Sequence, residues 1–312
     1  MDWTDFWKQF LDKNKLNNIV KEIDSVSSSP IEDVCHKIYD KYDKKILERI
    51  RLDFIQEIEK FSDVHLSASR VKEIESVLRK VIIKRYERMM DQNNRYSFLS
   101  ADNYDRIITD LIGIRFILSY RGNWKNLHSI IVNRFPYLEN EDYSDDRLIP
   151  IREDMDFIAE LPHAYYSYGD DISIYSEERV KPLMRTSGYR SIHYVICYSG
   201  TYIEVQVRTI YDEAWSDCDH NFVYKHEENI SHAALLELSK ILCQYTNTCN
   251  EVAELMKIIF DNSDVVEKNN KYYASEEIIN RLDIIFDKYN STQNQFLQFK
   301  NNVCLKGEKN NE

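Results

Sequence analysis

Apolar residues recur at helical intervals through the first ninety positions. Trp3, Phe6, Trp7, Phe10, Leu11 and Leu16 predict an amphipathic helix over 3–22. Ser29-Pro30 opens a second helix, 30–60, whose stripe runs through Ile31, Val34, Cys35, Ile38 and Tyr39 to Ile46, Ile50, Phe54, Ile55 and Ile58. Ser67 or Ser69 caps a third, 69–91, with Val71, Ile74, Val77, Leu78 and Val81 inward. Then the period changes. Asp110 to Tyr120 is dense in Ile, Leu and Phe between polar flanks, which predicts a buried strand. Trp124, Leu127, Ile130, Ile131 and Phe135 are helically spaced, which predicts a helix over 123–135. From 137 to 187 acids and tyrosines blur the pattern; strands are expected near 148–158 and 172–176, and a mobile loop over 177–188. Segments 189–198 and 201–208 form a hairpin around Ser199-Gly200-Thr201, and helices follow at 209–224, 231–262 and 274–302.

A sheet with helices on both sequence flanks is an α+β arrangement. The scarcity of Gly (6) and Pro (5) agrees with long helices. With 43% hydrophobic and 30% charged residues the chain can bury a sizeable core. Its net charge of −12 repels polyanions at long range, so an anion site needs a local basic cluster. The six cysteines show no CxxC pair and no metal-ligand spacing, which suits small core residues in a reducing compartment. No apolar run approaches the roughly 18 residues of a membrane span. The acidic start MDWTDFWKQF lacks a signal-peptide pattern, so a cytoplasmic protein with no membrane partner is expected.

The hairpin carries polar chemistry. Strand side chains alternate, so Tyr189, Ser191 and His193 share a face, as do Glu204, Gln206 and Arg208. A solvated sheet face has the same pattern. Asp110 heads an apolar strand, where a carboxylate is costly unless solvated, paired or metal-bound. The 69–91 segment carries a basic run (Arg70, Lys72, Arg79, Lys80, Lys84, Arg85 and Arg88) that is either a solvated helix face or a phosphate site. Two carboxylates, Asp110 and Glu204, beside basic residues compose a set suited to phosphoryl transfer with Mg²⁺. Asp110 and Arg115 are five apart, so a regular strand would point them to opposite faces. To share a site, Gly113 must mark a bulge or Asp110 must precede the strand.

Four blocks resemble the RelA/SpoT synthetase family, makers of the alarmones pppGpp and ppGpp. They are Ser69-Arg70-Val71-Lys72 with Glu75-Ser76 and Lys80; Asp110 to Gly113 and Arg115; Ser187-Gly188-Tyr189-Arg190-Ser191-Ile192-His193; and Glu204-Val205-Gln206-Val207-Arg208-Thr209 with Ala214-Trp215, His220 and Tyr224-Lys225. The resemblance implies a mixed, nucleotidyltransferase-like sheet flanked by helices, with helical N- and C-terminal extensions. It implies transfer of the β,γ-pyrophosphate of ATP to the ribose 3′-OH of GDP or GTP, with AMP leaving. Asp110 would hold Mg²⁺, and Glu204 would serve as metal ligand or general base. Arg70 and Arg115 would sandwich the adenine, and Lys72 and Lys80 would hold the ATP phosphates. Tyr189 would stack on the acceptor base, with His193 and Gln206 lining its pocket and Arg185 meeting phosphates. Arg208, His220 and Lys225 would support.

The implied domains are a helical extension (1–62), the pyrophosphokinase domain (63–228), C-terminal helices (229–302) and a disordered tail (303–312). The family also implies self-association through terminal helices. Glu73-Ile74 stands where a Ser-Pro often follows the Arg-x-Lys, and Glu213 stands where some small synthetases have Asn near the acceptor base. No His-Asp hydrolase signature is present, so a synthetase-only member is expected. The alternatives are a toxic relative that modifies the tRNA 3′-CCA end or makes adenosine alarmones, with an antitoxin partner, and an inactive nucleotide-binding module.

Overall fold

The computed structural model describes residues 2–27, 29–60, 64–88, 96, 99–138, 155–176, 179–224, 232–262, 266–268 and 271–301. The elements run α1 (Trp3–Asn14), α2 (Asn17–Val26), α3 (Ile31–Lys41), α4 (Lys44–Glu59), β1 (Leu66–Val71), α5 (Ile74–Arg88), α6 (Tyr104–Ile107), β2 (Ile112–Leu118), α7 (Trp124–Arg134), β3 (Phe157–Tyr166), β4 (Lys181–Met184), β5 (Ser191–Tyr198), β6 (Thr201–Thr209), α8 (Ile210–Phe222), α9 (His232–Asn262), β7 (Val266–Lys268), β8 (Lys271–Tyr273) and α10 (Glu276–Asn301).

Local chemistry divides the N-terminal helices more finely than their apolar stripes. Lys15 adopts a left-handed conformation (φ 55°) and closes α1, so the expected helix 3–22 is two. Asp43 accepts from the N–H groups of Lys45 and Ile46 and starts α4 afresh, so 30–60 is also two. The predicted start of the third helix is corrected. Residues 66–71 form β1, and α5 begins at Ile74.

Six strands form one sheet in the order β1-β2-β6-β5-β3-β4. The β2–β6 and β3–β4 pairs are parallel and the other pairs antiparallel. The sheet is therefore mixed and the fold α+β, as the element pattern implied. Ile112, Ile114, Phe116, Ile203, Val205, Val207, Ile192 and Tyr194 are buried in one core with Phe54 and Ile58 of α4, Val77 to Ile82 of α5, and Trp124 to Ile131 of α7. Trp7, Phe10, Ile23 and Ile38 of α1 to α3 belong to the same core, so the N-terminal helices complete it. Inside it, Trp124 Nε1 donates to Tyr194 Oη at 2.8 Å, which satisfies two polar atoms at the core's centre. Cys35, Cys197 and Cys243 are buried, in keeping with their expected packing role, whereas Cys249 is exposed.

The stretch before the hairpin departs from expectation. A strand starts at Phe157, residues 173–175 are a 3₁₀ turn where a strand was expected, and the loop 177–188 contains β4. Residues 139–154 lie outside the described residues, as does the tail 303–312. β4 is an edge strand, which is why Pro182 is tolerated there. The β3–β5 ladder shifts register between Glu160 and His163, at Pro162, which has no N–H to give. At the C-terminal side, α9 packs on α8 and α10. No helix among the described residues is long and apolar enough to cross a membrane.

Candidate functional site

Register brings the candidate residues onto one face. Arg70 of β1 pairs with Gly113 of β2, Gly113 with Glu204 of β6, and Glu204 with Val195 of β5. The neighbouring rung runs Ala68, Arg115, Gln206, His193. Directly paired residues point the same way, so Arg70, Arg115, Glu204, Gln206 and His193 rise from one surface. The β2–β6 ladder passes through Gly113 without a bulge. Asp110 instead lies in the turn before β2, which frees it from strand alternation. It joins Arg70, Arg115, Glu204 and Gln206 around an open cleft of about 220 Å³. Arg70 reaches this cleft from a strand and not from a helix N-terminus, which corrects that part of the sequence reading.

One end of the cleft is basic. Lys72 Nζ lies 2.5 Å from Asp110 Oδ2, and Lys80 Nζ, from α5, 2.8 Å from Oδ1. Burial alone would push Asp110 up, but Lys80 and Lys72 hold its carboxyl below the usual value. Lys72 is itself pushed down, first by burial and also by Lys80, against the pull of Asp110. Asp110 is thus an ionised carboxylate between two ammonium groups.

The other end is an ordered network. Arg208 Nη2 donates to Tyr189 Oη at 2.5 Å and to Gln206 Oε1 at 2.6 Å. Tyr189 Oη lies 2.9 Å from His193 Nε2, and His193 Nδ1 lies 3.3 Å from Glu204 Oε1. Arginine only donates, so Tyr189 Oη accepts from Arg208 while it shares a second hydrogen bond with His193 Nε2. The imidazole turns its Nδ1–H to Glu204. Burial would raise Glu204, but its hydrogen bond and charge contact with His193 prevail and hold it below the ordinary value, against Asp110. Burial pushes the Tyr189 hydroxyl up, despite Arg208, which keeps it a neutral donor. The Arg208 guanidinium lies 4.9 Å from the Tyr189 ring centroid, so one ring face is already occupied by a cation.

Glu213, noted in the sequence only as a departure, links the two ends. Its Oε1 lies 2.7 Å from Arg115 Nη1 and its Oε2 3.0 Å from Arg208 Nη1. The remaining candidates are dispersed. Arg185 stacks on Tyr165 at 4.5 Å, and Tyr165 meets the edges of Tyr189 and His193. His220 stacks on Tyr224 near the end of α8 and does not line the cleft. Lys225 lies outside the described residues. Tyr165 was missed in the sequence; only its register opposite Ser191 reveals it.

Among the described residues no three His, Cys, Asp or Glu side chains cluster as a protein-only metal cage. Mg²⁺ needs only one or two carboxylates, with phosphate and water completing its shell. Both Asp110 oxygens are paired with lysine ammonium groups, which are free to turn to phosphate when a nucleotide enters. With the lysines so turned, Asp110 and Glu204, which line the same cleft, are carboxylates of the number and kind that a magnesium ion takes.

The model of the region found in RelA/SpoT proteins matches residues 69–229, and the chain belongs to this family. No curated protein matches the sequence at a significant level. Among solved structures, small alarmone synthetase 1 from Bacillus subtilis is similar at 17% identity and a TM-score of 0.42, over 70% of this chain and 94% of that one. Small alarmone synthetase 2 from the same organism is 19% identical, with a TM-score of 0.39 over 70% and 94%. A GTP pyrophosphokinase family protein from Streptococcus pneumoniae is 17% identical, with a TM-score of 0.39 over 82% and 94%.

Proposed function

We propose that the chain transfers the β,γ-pyrophosphate of ATP to the ribose 3′-OH of GDP or GTP. One observation carries the proposal. Two ionised carboxylates, Asp110 and Glu204, line one cleft between a basic end and an aromatic, hydrogen-bonding end. Lys72 and Lys80 bind the ATP phosphates, and Arg70 and Arg115 offer planar cations to the adenine. Tyr189 presents its remaining face to the acceptor base, with Gln206 and His193 beside it. Glu204 takes the proton from the 3′-hydroxyl as that oxygen bonds to the β-phosphorus. The bond from the β-phosphorus to the α–β bridging oxygen breaks, and AMP leaves with that oxygen. His193 steadies Glu204 and prevents it from swinging away. Asp110 and Glu204 would hold Mg²⁺, which when bound would supply neutralisation of the charge on the transferring group.

The test is incubation of the full chain with γ-labelled ATP and, separately, GDP, GTP, ATP and deacylated tRNA. Label in GDP or GTP supports the proposal. Label in tRNA or adenine nucleotide alone replaces the acceptor, and ATP binding without transfer reduces the protein to a nucleotide-binding module.

A further inference from the structure

Behind the Tyr189 loop lies a second polar cluster that takes no part in the cleft. Arg190 donates through Nε to Asp170 Oδ2 at 2.7 Å and through Nη2 to Oδ1 at 3.0 Å. Both side chains are buried, at 9% and 6% exposure. Its third nitrogen, Nη1, donates to the Gly188 carbonyl at 3.0 Å and to Cys243 Sγ at 3.3 Å. Cys243 belongs to α9, and its thiol donates back to the Gly188 carbonyl at 3.5 Å. Gly188 has a φ of 89°, and a Cβ there would stand 2.4 Å from Cys243 Sγ. The helix therefore backs directly onto the loop that carries Tyr189, with no room for a side chain between them.

The contact extends further. Arg121 lies 4.0 Å from Asp170 Oδ1, 3.7 Å from Asp212 Oδ1 and 3.8 Å from Glu251 Oε1 of α9. Asn250 of α9 donates to Asp212 at 3.0 Å, and Lys288 of α10 reaches Glu251 at 3.0 Å. Opposite charges thus alternate from α10 through α9 and Arg121 to Asp170 and Arg190. A buried ion pair adds little net stability over apolar packing. What a two-pronged guanidinium–carboxylate pair supplies is a fixed direction.

We propose that α9, which lies beyond the family segment 69–229, is a working part of the acceptor site. Cys243 and the Asp170–Arg190 pair set the position of residues 188–190, and so the plane of the Tyr189 ring. Cys243 and Asp170 are positioning residues, since they hold the loop and neither lines the cleft. Resting on the acceptor reading of Tyr189, this assigns α9 a control over acceptor binding that leaves the ATP end untouched.

Equilibrium binding of GDP and of a non-hydrolysable ATP analogue to the full chain tests it, alongside thermal unfolding. Wild type must bind both; if it binds no GDP, the acceptor reading and this inference fall together. In Cys243→Leu, whose bulk presses on Gly188, and in Asp170→Asn, GDP binding weakens about tenfold while the analogue binds within about twofold of wild type. Cys243→Ala, which removes the contact without pressing, weakens GDP binding less than Cys243→Leu does. Unchanged GDP binding in both Cys243→Leu and Asp170→Asn overturns the inference alone. So does equal weakening of GDP and the analogue, the mark of general loosening. Should Cys243→Leu not fold, Asp170→Asn decides by the same split.

Discussion

Tyr189 and Glu204 are joined through opposite nitrogens of the His193 imidazole. The ring proposed to stack on the acceptor base and the carboxylate proposed to deprotonate its ribose are therefore held at a set distance. Tyr189→Phe keeps the ring but removes the hydroxyl that His193 Nε2 and Arg208 both use. It lowers kcat several-fold with little change in acceptor KM. Tyr189→Ala loses the stack, worth about 1–3 kcal/mol per base, and raises acceptor KM by at least about fivefold. Steady-state kinetics with varied acceptor checks both; equal KM changes in the two variants would count against stacking.

Glu204→Gln retains shape and loses the charge proposed to accept the proton. The expected fall in kcat is about 10²–10⁴-fold, with thermal stability close to wild type. A variant that keeps full activity removes Glu204 from the chemistry.

Glu213→Gln deprives Arg115 and Arg208 of a shared counter-charge. Arg208 is almost wholly buried, so the variant loses about 1–3 kcal/mol in urea unfolding. ATP KM rises as Arg115 is released. Unaltered stability would mean that Tyr189, Ser191, Gln206 and Ser216 suffice to hold Arg208.

Asp110 and Glu204 both titrate below their unfolded values of 3.8 and 4.5. The unfolded chain binds the more protons in that range, so stability rises with pH there. The contribution is fully present above the unfolded values and is lost as pH falls through the lowered folded ones. Urea midpoints measured from neutral pH into acid should fall less steeply for Asp110→Asn/Glu204→Gln than for wild type. Parallel acid slopes would remove the effect.

Gly113 lies between Arg70 and Glu204 on their rung, and a Cβ there would meet only Arg70 Cγ, at 4.0 Å. Gly113→Ala is tolerated by the fold but fills the cleft floor. Its melting temperature stays near wild type while ATP KM rises several-fold. A large loss of stability would contradict the open geometry.

The hairpin chemistry was legible because two adjacent strands with a short turn leave alternation only one outcome. The Asp110–Arg115 conflict was legible too, and the turn before β2 resolves it. Arg70 was misplaced for a physical reason: Val71 faces the core from β1, yet keeps helical spacing with Ile74 and Leu78, so the period ran unbroken across a strand-to-helix junction. β3 was obscured by Pro162 and β4 by its length and Pro182. The cluster of Arg121, Asp170, Arg190 and Asp212 had no signal at all, since its members come from separate segments that meet only in space.

The sheet order makes the cleft a ruler. β6 separates β2 from β5, so Arg115 and His193 stand two strand spacings apart, about 10 Å. Backbone hydrogen bonds set that gap, and no side-chain substitution that preserves register can widen it. On the proposed reading, a change of acceptor must therefore come from the length and shape of the side chains at the gap's far end, while the span between Arg115 and His193 stays the same.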